Sequence, residues 1–92
     1  MPLNEHEDII KKAFKFHSQG NITEAIRFYK LFIENGFSDA RMFSNYGSIL
    51  RDLGNLKEAE RFMRLAIQVN PGLASSYSNL GNILRELGKL KE

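Results

Sequence analysis

A 34-residue self-similarity constrains this chain more than any other feature. Gly20, Gly54 and Gly88 stand 34 residues apart, and each is followed by the same kind of turn and helix start: "GNITEA", "GNLKEA" and "GKLKE". Ile22, Leu56 and Leu90 keep that spacing, as do Ala25 and Ala59. Gly47 and Gly81 keep it too, with Ala13 in the equivalent place of the first unit. A period of this length signals repeated supersecondary units, each too small to bury its apolar face without its neighbours. The units are residues 6–39, 40–73 and a truncated 74–92. The last copy, "ASSYSNLGNILRELGKLKE", repeats "ARMFSNYGSILRDLGNLKE" of 40–58 and has no second half.

Within the middle unit the apolar period is helical. Phe43, Tyr46, Gly47, Leu50 and Leu53 fall three or four residues apart and share one face, and Leu56, Ala59, Met63, Ala66 and Ile67 do the same for a second helix. Gly54-Asn55 ends the first helix, because glycine enters the left-handed conformation at no steric cost. Asn70-Pro71-Gly72 ends the second, since proline disfavours helical geometry in the residue before it. Two helices with short connections make an antiparallel pair. Gly47 and Ala59 are small where those helices must cross closest, and Ala66 serves in the same way toward the next unit. These residues build the fold and do no chemistry. The expectation is an all-α, helix–turn–helix solenoid of two and a half units, five helices in one domain spanning 1–92.

The 34-residue unit resembles the tetratricopeptide repeat. The middle unit carries that pattern most fully, with Phe43 at the aromatic position, Tyr46-Gly47, Leu50, Ala59, Met63, Ala66 and Pro71. The third carries Tyr77, Leu80-Gly81 and Leu84. The first is looser: Ile9, Ala13, Phe16, Ala25 and Tyr29 fit, but Phe32 replaces the second alanine and Phe37 the proline. Divergence is expected of an end-capping repeat, which faces water on one side.

Composition excludes several function classes. No apolar run approaches the roughly 20 residues needed to span a bilayer, and the beginning, "MPLNEHEDII", lacks the order of a signal peptide. The expected location is cytoplasmic, with no membrane partner. Net charge is only +2, and Lys11, Lys12 and Lys15 sit among Glu5, Glu7 and Asp8 as a solvated helix face rather than a nucleic-acid surface. Cysteine is absent, and the two histidines, His6 and His17, are too far apart to share a metal ion. Each reads as a lone surface histidine. Asn4 with Glu7 reads as a loose capping box, and Glu5, Glu7 and Asp8 suit a helix N-terminus. No carboxylate pair is set up for acid–base work and no glycines have phosphate-loop spacing. The sequence therefore implies no enzyme, no cofactor and no metal site.

What the repeats offer is a surface. In a stack of helix pairs the first helix of each unit lines the concave side. Its polar face presents Arg41, Ser44, Asn45, Ser48 and Arg51 in the middle unit, and Ser75, Ser78, Asn79, Asn82 and Arg85 in the third. The same places of the first unit hold Glu7, Ile10, Lys11, Phe14 and His17. Asn45 and Asn79 carry one acceptor and two donors each, matching the groups of a peptide backbone, so a ladder of them would hold an extended segment by its main chain. "YSNLGNILRELGKLKE" is similar to repeats of the O-linked N-acetylglucosamine transferase type, whose inner surface carries such a ladder, and to bacterial arrays that precede a transferase domain. That resemblance implies a substrate-presenting role in a larger transferase as one alternative. Some family members instead clamp a C-terminal carboxylate with basic residues. Here only Asn45 fits that clamp, while Ile10, Phe14, Ser75 and Asn79 occupy its other positions. Arg41, Arg51 and Arg85 would tune charge preference, balanced in part by Asp52 and Glu86.

The truncated unit raises a second expectation. Leu80, Ile83 and Leu87 can face the preceding unit, whereas Tyr77, Gly81 and Leu84 lack the helix that would cover them. Ser75, Ser76, Ser78 and Asn82 are the polar residues that keep this helix in water. An apolar strip left open marks an interface. The principal reading is a scaffold binding a protein or peptide along Arg41, Ser44, Asn45, Ser48, Arg51, Ser78, Asn79, Asn82 and Arg85. The alternative is a homodimer through Tyr77, Gly81 and Leu84, with Gly81 against Gly81.

Overall fold

The computed structural model describes residues 5–91. Asn4, read above as half of a capping box, lies outside the described residues, as does the side chain of Leu90. The described chain is all-α: α1 (Glu5–Ser18), α2 (Ile22–Glu34), α3 (Ala40–Asp52), α4 (Leu56–Val69) and α5 (Ala74–Lys91). It divides into two compact units, Met1–Ser38 with α1 and α2, and Asp39–Glu92 with α3, α4 and α5. That division falls within a residue of where the sequence period ends its first repeat.

Helix ends follow local chemistry. Gly20, Gly36 and Gly54 have φ of 77°, 76° and 87°, the left-handed region that only glycine enters freely. After each, the next N–H reaches back five residues: Asn21 to Phe16 O, Phe37 to Phe32 O and Asn55 to Leu50 O. With the glycine N–H bonding three residues back, this is the Schellman ending, which satisfies carbonyls the helix would otherwise orphan. Gly88 departs from the sequence expectation of a third such turn. The helix α5 runs through it to Lys91. A left-handed glycine is adopted where the chain must turn back onto a packed partner, and no described helix follows α5.

In the unit Met1–Ser38, Ala13 and Ala25 are fully buried. Phe16 stacks on Phe28 at 5.6 Å, and His17 Nδ1 shares a 2.8 Å hydrogen bond with the buried Tyr29 hydroxyl. The first repeat's departures from the pattern compensate one another. Phe32 and Phe37 lie 5.5 Å apart, and the His6 ring meets them at 5.2 and 5.0 Å. Neither histidine is therefore the lone surface group expected of it, because aromatic neighbours take up both rings.

In the unit Asp39–Glu92, α3 and α4 cross at Gly47. A Cβ added there would lie 3.1 Å from Met63 Cε and 3.3 Å from the Ala59 carbonyl oxygen. Phe62 fills the space beside Phe43 and Tyr46, at 6.1 and 5.0 Å. Helix α5 packs on α4 and touches α3, burying Leu80 and Ile83 as the period predicted. Ser76 corrects the sequence reading: it is fully buried, and its Oγ has no partner among the described residues. It occupies the place that Met42 holds one repeat earlier, so helical position overrides residue type.

The two equivalent glycines should respond oppositely to substitution. Gly47→Leu should lose about 2 kcal/mol or more of stability by overpacking, measured by urea unfolding. Gly81 has nothing within 4 Å of an added Cβ, so Gly81→Ala should gain roughly 0.5–1 kcal/mol from helix propensity.

Candidate partner-binding surface

Two helices of the second compact unit, α3 and α5, carry the residues that the repeat pattern singled out. They are tied together by Arg51, whose Nε donates to Glu86 Oε1 at 2.6 Å. Both side chains are about a third exposed (34% and 37%), so the pair is wet enough to fix geometry more than to add stability. Asn45 and Ser48 are half-buried on α3, and Asn79 and Asn82 half-buried on α5. The side chains of Asn45, Ser48 and Asn79 make no hydrogen bond to any described residue. Asn82 accepts from Arg85 Nη1 at 3.0 Å.

Arg41 is exposed but committed. Its Nη2 donates to Asp39 Oδ2 at 2.8 Å and its Nε to Asp39 Oδ1 at 3.2 Å. Asp39 is also the N-cap of α3, accepting from the N–H groups of Arg41 and Met42 at 2.8 and 3.3 Å. Sequence reasoning missed this cap. The signal was an aspartate directly before the first helical residue. Burial raises the Asp39 carboxyl, but Arg41's side chain, N–H and charge, with the Met42 N–H, outweigh it and hold the group below its ordinary value.

Ser44 does not share the accessible side of α3 with Asn45 and Ser48. It is 5% exposed, and its hydroxyl donates to Met63 Sδ at 3.7 Å, on the α4 side of the helix. Ile10, at the same position of α1, is likewise buried. Ser78 is the third member of that series and is exposed on α5, where no described second helix covers it. It groups with Tyr77 and Leu84 rather than with Asn79. Tyr77 and Leu84 are 49% and 40% exposed, and Gly81 between them is exposed as well. The apolar strip expected on α5 is therefore present.

Two shallow hollows are lined by other residues. One runs along α4 past Lys57, Glu60, Arg61 and Arg64, and the other lies between α1 and α2 over Ile9, Phe28 and Leu31. Neither includes a residue of the predicted site. Among the described residues no group of three or more histidines, cysteines or carboxylates is placed to hold a metal, and no helix is long and apolar enough to cross a membrane.

Residues 40–73 match one family model described as the tetratricopeptide repeat, and residues 73–92 match a second of the same description. Together they take in more than half the chain. It belongs to the tetratricopeptide repeat family. Such repeats generally mediate protein–protein interaction and are typically non-catalytic, and both matches fall in the stretch that carries α3, α4 and α5. They identify the repeat, and do not reach the finer likeness to transferase arrays. No curated protein matches the chain.

The Asp39–Arg41 pair gives the repeat's first helix a pH signature. A carboxyl lowered in the folded state adds stability above its unfolded value of about 3.9, and that stability is lost as pH falls through the folded value. Asp39→Asn keeps a capping oxygen but removes the charge. It should cost on the order of 1 kcal/mol at pH 7, and the difference from the parent chain should shrink as pH falls below the unfolded value of about 3.9 and through the lowered folded one. Urea unfolding at pH 7 and over a series of acidic pH values measures it.

Proposed function

We propose that this tetratricopeptide chain is a non-catalytic scaffold that holds an extended segment of a partner protein along α3 and α5. The observation that carries this is the pair Asn45 and Asn79. They stand one 34-residue period apart on the first helices of successive repeats, half-buried, with neither amide bonded to a described residue. Amides that solvent reaches and that bond to nothing described in the chain are free to exchange water for a ligand's groups. An extended backbone, with a donor and an acceptor at each residue, fits two such amides without demanding a sequence. Ser48 and Asn82 extend the polar strip on either helix.

The partial charge balance expected of that strip comes from Asp39 and Glu86. Arg41 and Arg51 are each answered by a carboxylate of the same compact unit. The face is therefore polar rather than broadly basic, which favours main-chain capture over general attraction to acidic partners.

A second reading is favoured by one contrast. Gly47 is required by a close neighbour, whereas Gly81, at the same place of the next repeat, has nothing near it. A small residue flanked by exposed Tyr77 and Leu84 leaves room for another helix, and a second copy supplies one through a two-fold contact.

The two readings separate experimentally. Asn45→Ala with Asn79→Ala should weaken capture of peptides selected from a random displayed library by about ten- to a hundred-fold. Helicity and absolute mass by light scattering should stay unchanged. Tyr77→Glu should leave peptide capture intact and, if the chain dimerises, shift its mass to that of a monomer. Unweakened capture by the asparagine double variant would remove the principal reading.

A further inference from the structure

The chain has six arginines, and five of them meet a carboxylate: Arg27 with Glu24, Arg41 with Asp39, Arg51 with Glu86, Arg61 with Glu58 and Arg64 with Glu60. Arg85 does not. It is exposed, and its described bond runs from Nη1 to the neutral Asn82 Oδ1 at 3.0 Å. That bond also orients the amide. With Oδ1 turned to the guanidinium, Asn82 has its two Nδ2–H donors left to offer, and they find no partner among the described residues. One positive charge and several N–H donors thus lie together on α5, beside Asn79.

The chain holds its own example of what such a guanidinium takes. Arg51 occupies the same helical position in α3, one repeat earlier, and its acid comes from a different helix: Glu86 of α5. Glu86 directly follows Arg85 in sequence yet turns to Arg51 instead. At that position of α3 the arginine is answered by a carboxylate from the helix lying alongside. For Arg85 no described element lies there.

We propose that Arg85 and Asn82 together bind an acidic side chain, Glu or Asp, of the segment held along α3 and α5. This rests on the reading of that face as a peptide-binding surface and adds a chemical preference to it. A carboxylate presents two coplanar acceptor oxygens, which match a guanidinium edge with a neighbouring amide N–H. Because the site is exposed, its contribution is selectivity at one position of the segment more than affinity overall.

The test uses the 15N-labelled chain and two probes, the pentapeptides acetyl-Ser-Ser-Glu-Ser-Ser-amide and acetyl-Ser-Ser-Gln-Ser-Ser-amide, at matched ionic strength. NMR follows the arginine Nε–H and asparagine Nδ2–H signals. With the Glu peptide, Arg85 and Asn82 should shift and saturate while the other five arginines stay still. The Glu peptide should bind roughly five-fold more tightly than the Gln peptide, a margin that narrows with added salt. Arg85→Gln should erase that preference without loss of helicity. Equal responses of Arg85 to the two peptides, or a preference that survives Arg85→Gln, would overturn the proposal. Shifts at Asn45 and Asn79 with both peptides but no Glu preference would reject this site and leave the main-chain reading standing. A Glu-specific response at Arg85 and Asn82 with Asn45 and Asn79 silent would do the opposite. Movement of the same signals on concentrating the chain alone would assign the carboxylate to a second copy and overturn the peptide assignment.

Discussion

The close crossing of α3 and α4 is the constraint on which the rest of the second unit depends. An isolated helix of 13 or 14 residues is marginal in water, so each helix holds only by burying a face on its neighbour. The absence of a side chain at Gly47 lets the Ala59 carbonyl and Met63 come close enough for Phe43, Tyr46 and Phe62 to interlock around them. Each large apolar side chain buried this way contributes about 1.5–3 kcal/mol against the entropy of ordering the chain. The same crossing sets which side of α3 is spent on packing. Ser44 falls on that side and is lost to the surface, while Asn45 and Ser48 fall beside it and remain available.

The first unit reaches the same end with different residues. Ala13 stands where Gly47 does one repeat later, and Phe32 replaces the alanine of the middle unit. The added bulk is absorbed by His6 and Phe37, which close over Phe32. On the other side of α1, Asp8 and Lys12 are exposed at the positions where Met42 and Tyr46 are buried. Lys12 and Arg27 also lie over the Phe28 ring, at 5.7 and 4.6 Å, shielding apolar surface with charged side chains. Polar side chains at those positions leave that side of α1 in contact with water.

How much was legible follows from which term decides each feature. Repeat length, helix positions and the crossing at Gly47 are set by apolar period and local turn chemistry, both written in the sequence. The fates of Gly88 and Ser76 were not. Gly88 has the sequence context of Gly54, but a left-handed turn needs a returning helix to reward it, and the helical hydrogen bonds continue where none is described. Ser76 looks like a solvating residue by type, yet its position on α5 faces inward, and position wins. The charge of the polar face was legible only in part: Glu86 was expected to balance the arginines of that face, but only the fold shows that it meets Arg51 and that Asp39 meets Arg41.

That neutralisation bears on how a repeat surface becomes selective. Packing residues are fixed by the fold and carry no information about a partner. The polar face is free to vary, but each charged residue on it first competes for partners within the chain. Arg51 is claimed by Glu86 because the stacking of α5 brings that carboxylate within reach. What remains for a ligand is the set of groups the intramolecular contacts leave over: the amides of Asn45 and Asn79, the hydroxyl of Ser48, and the donors of Asn82 and Arg85. The first three suit any extended backbone, whereas the last two ask for an acceptor at one point along it. Affinity and selectivity in such a surface would therefore reside on different residues, separated along the same pair of helices.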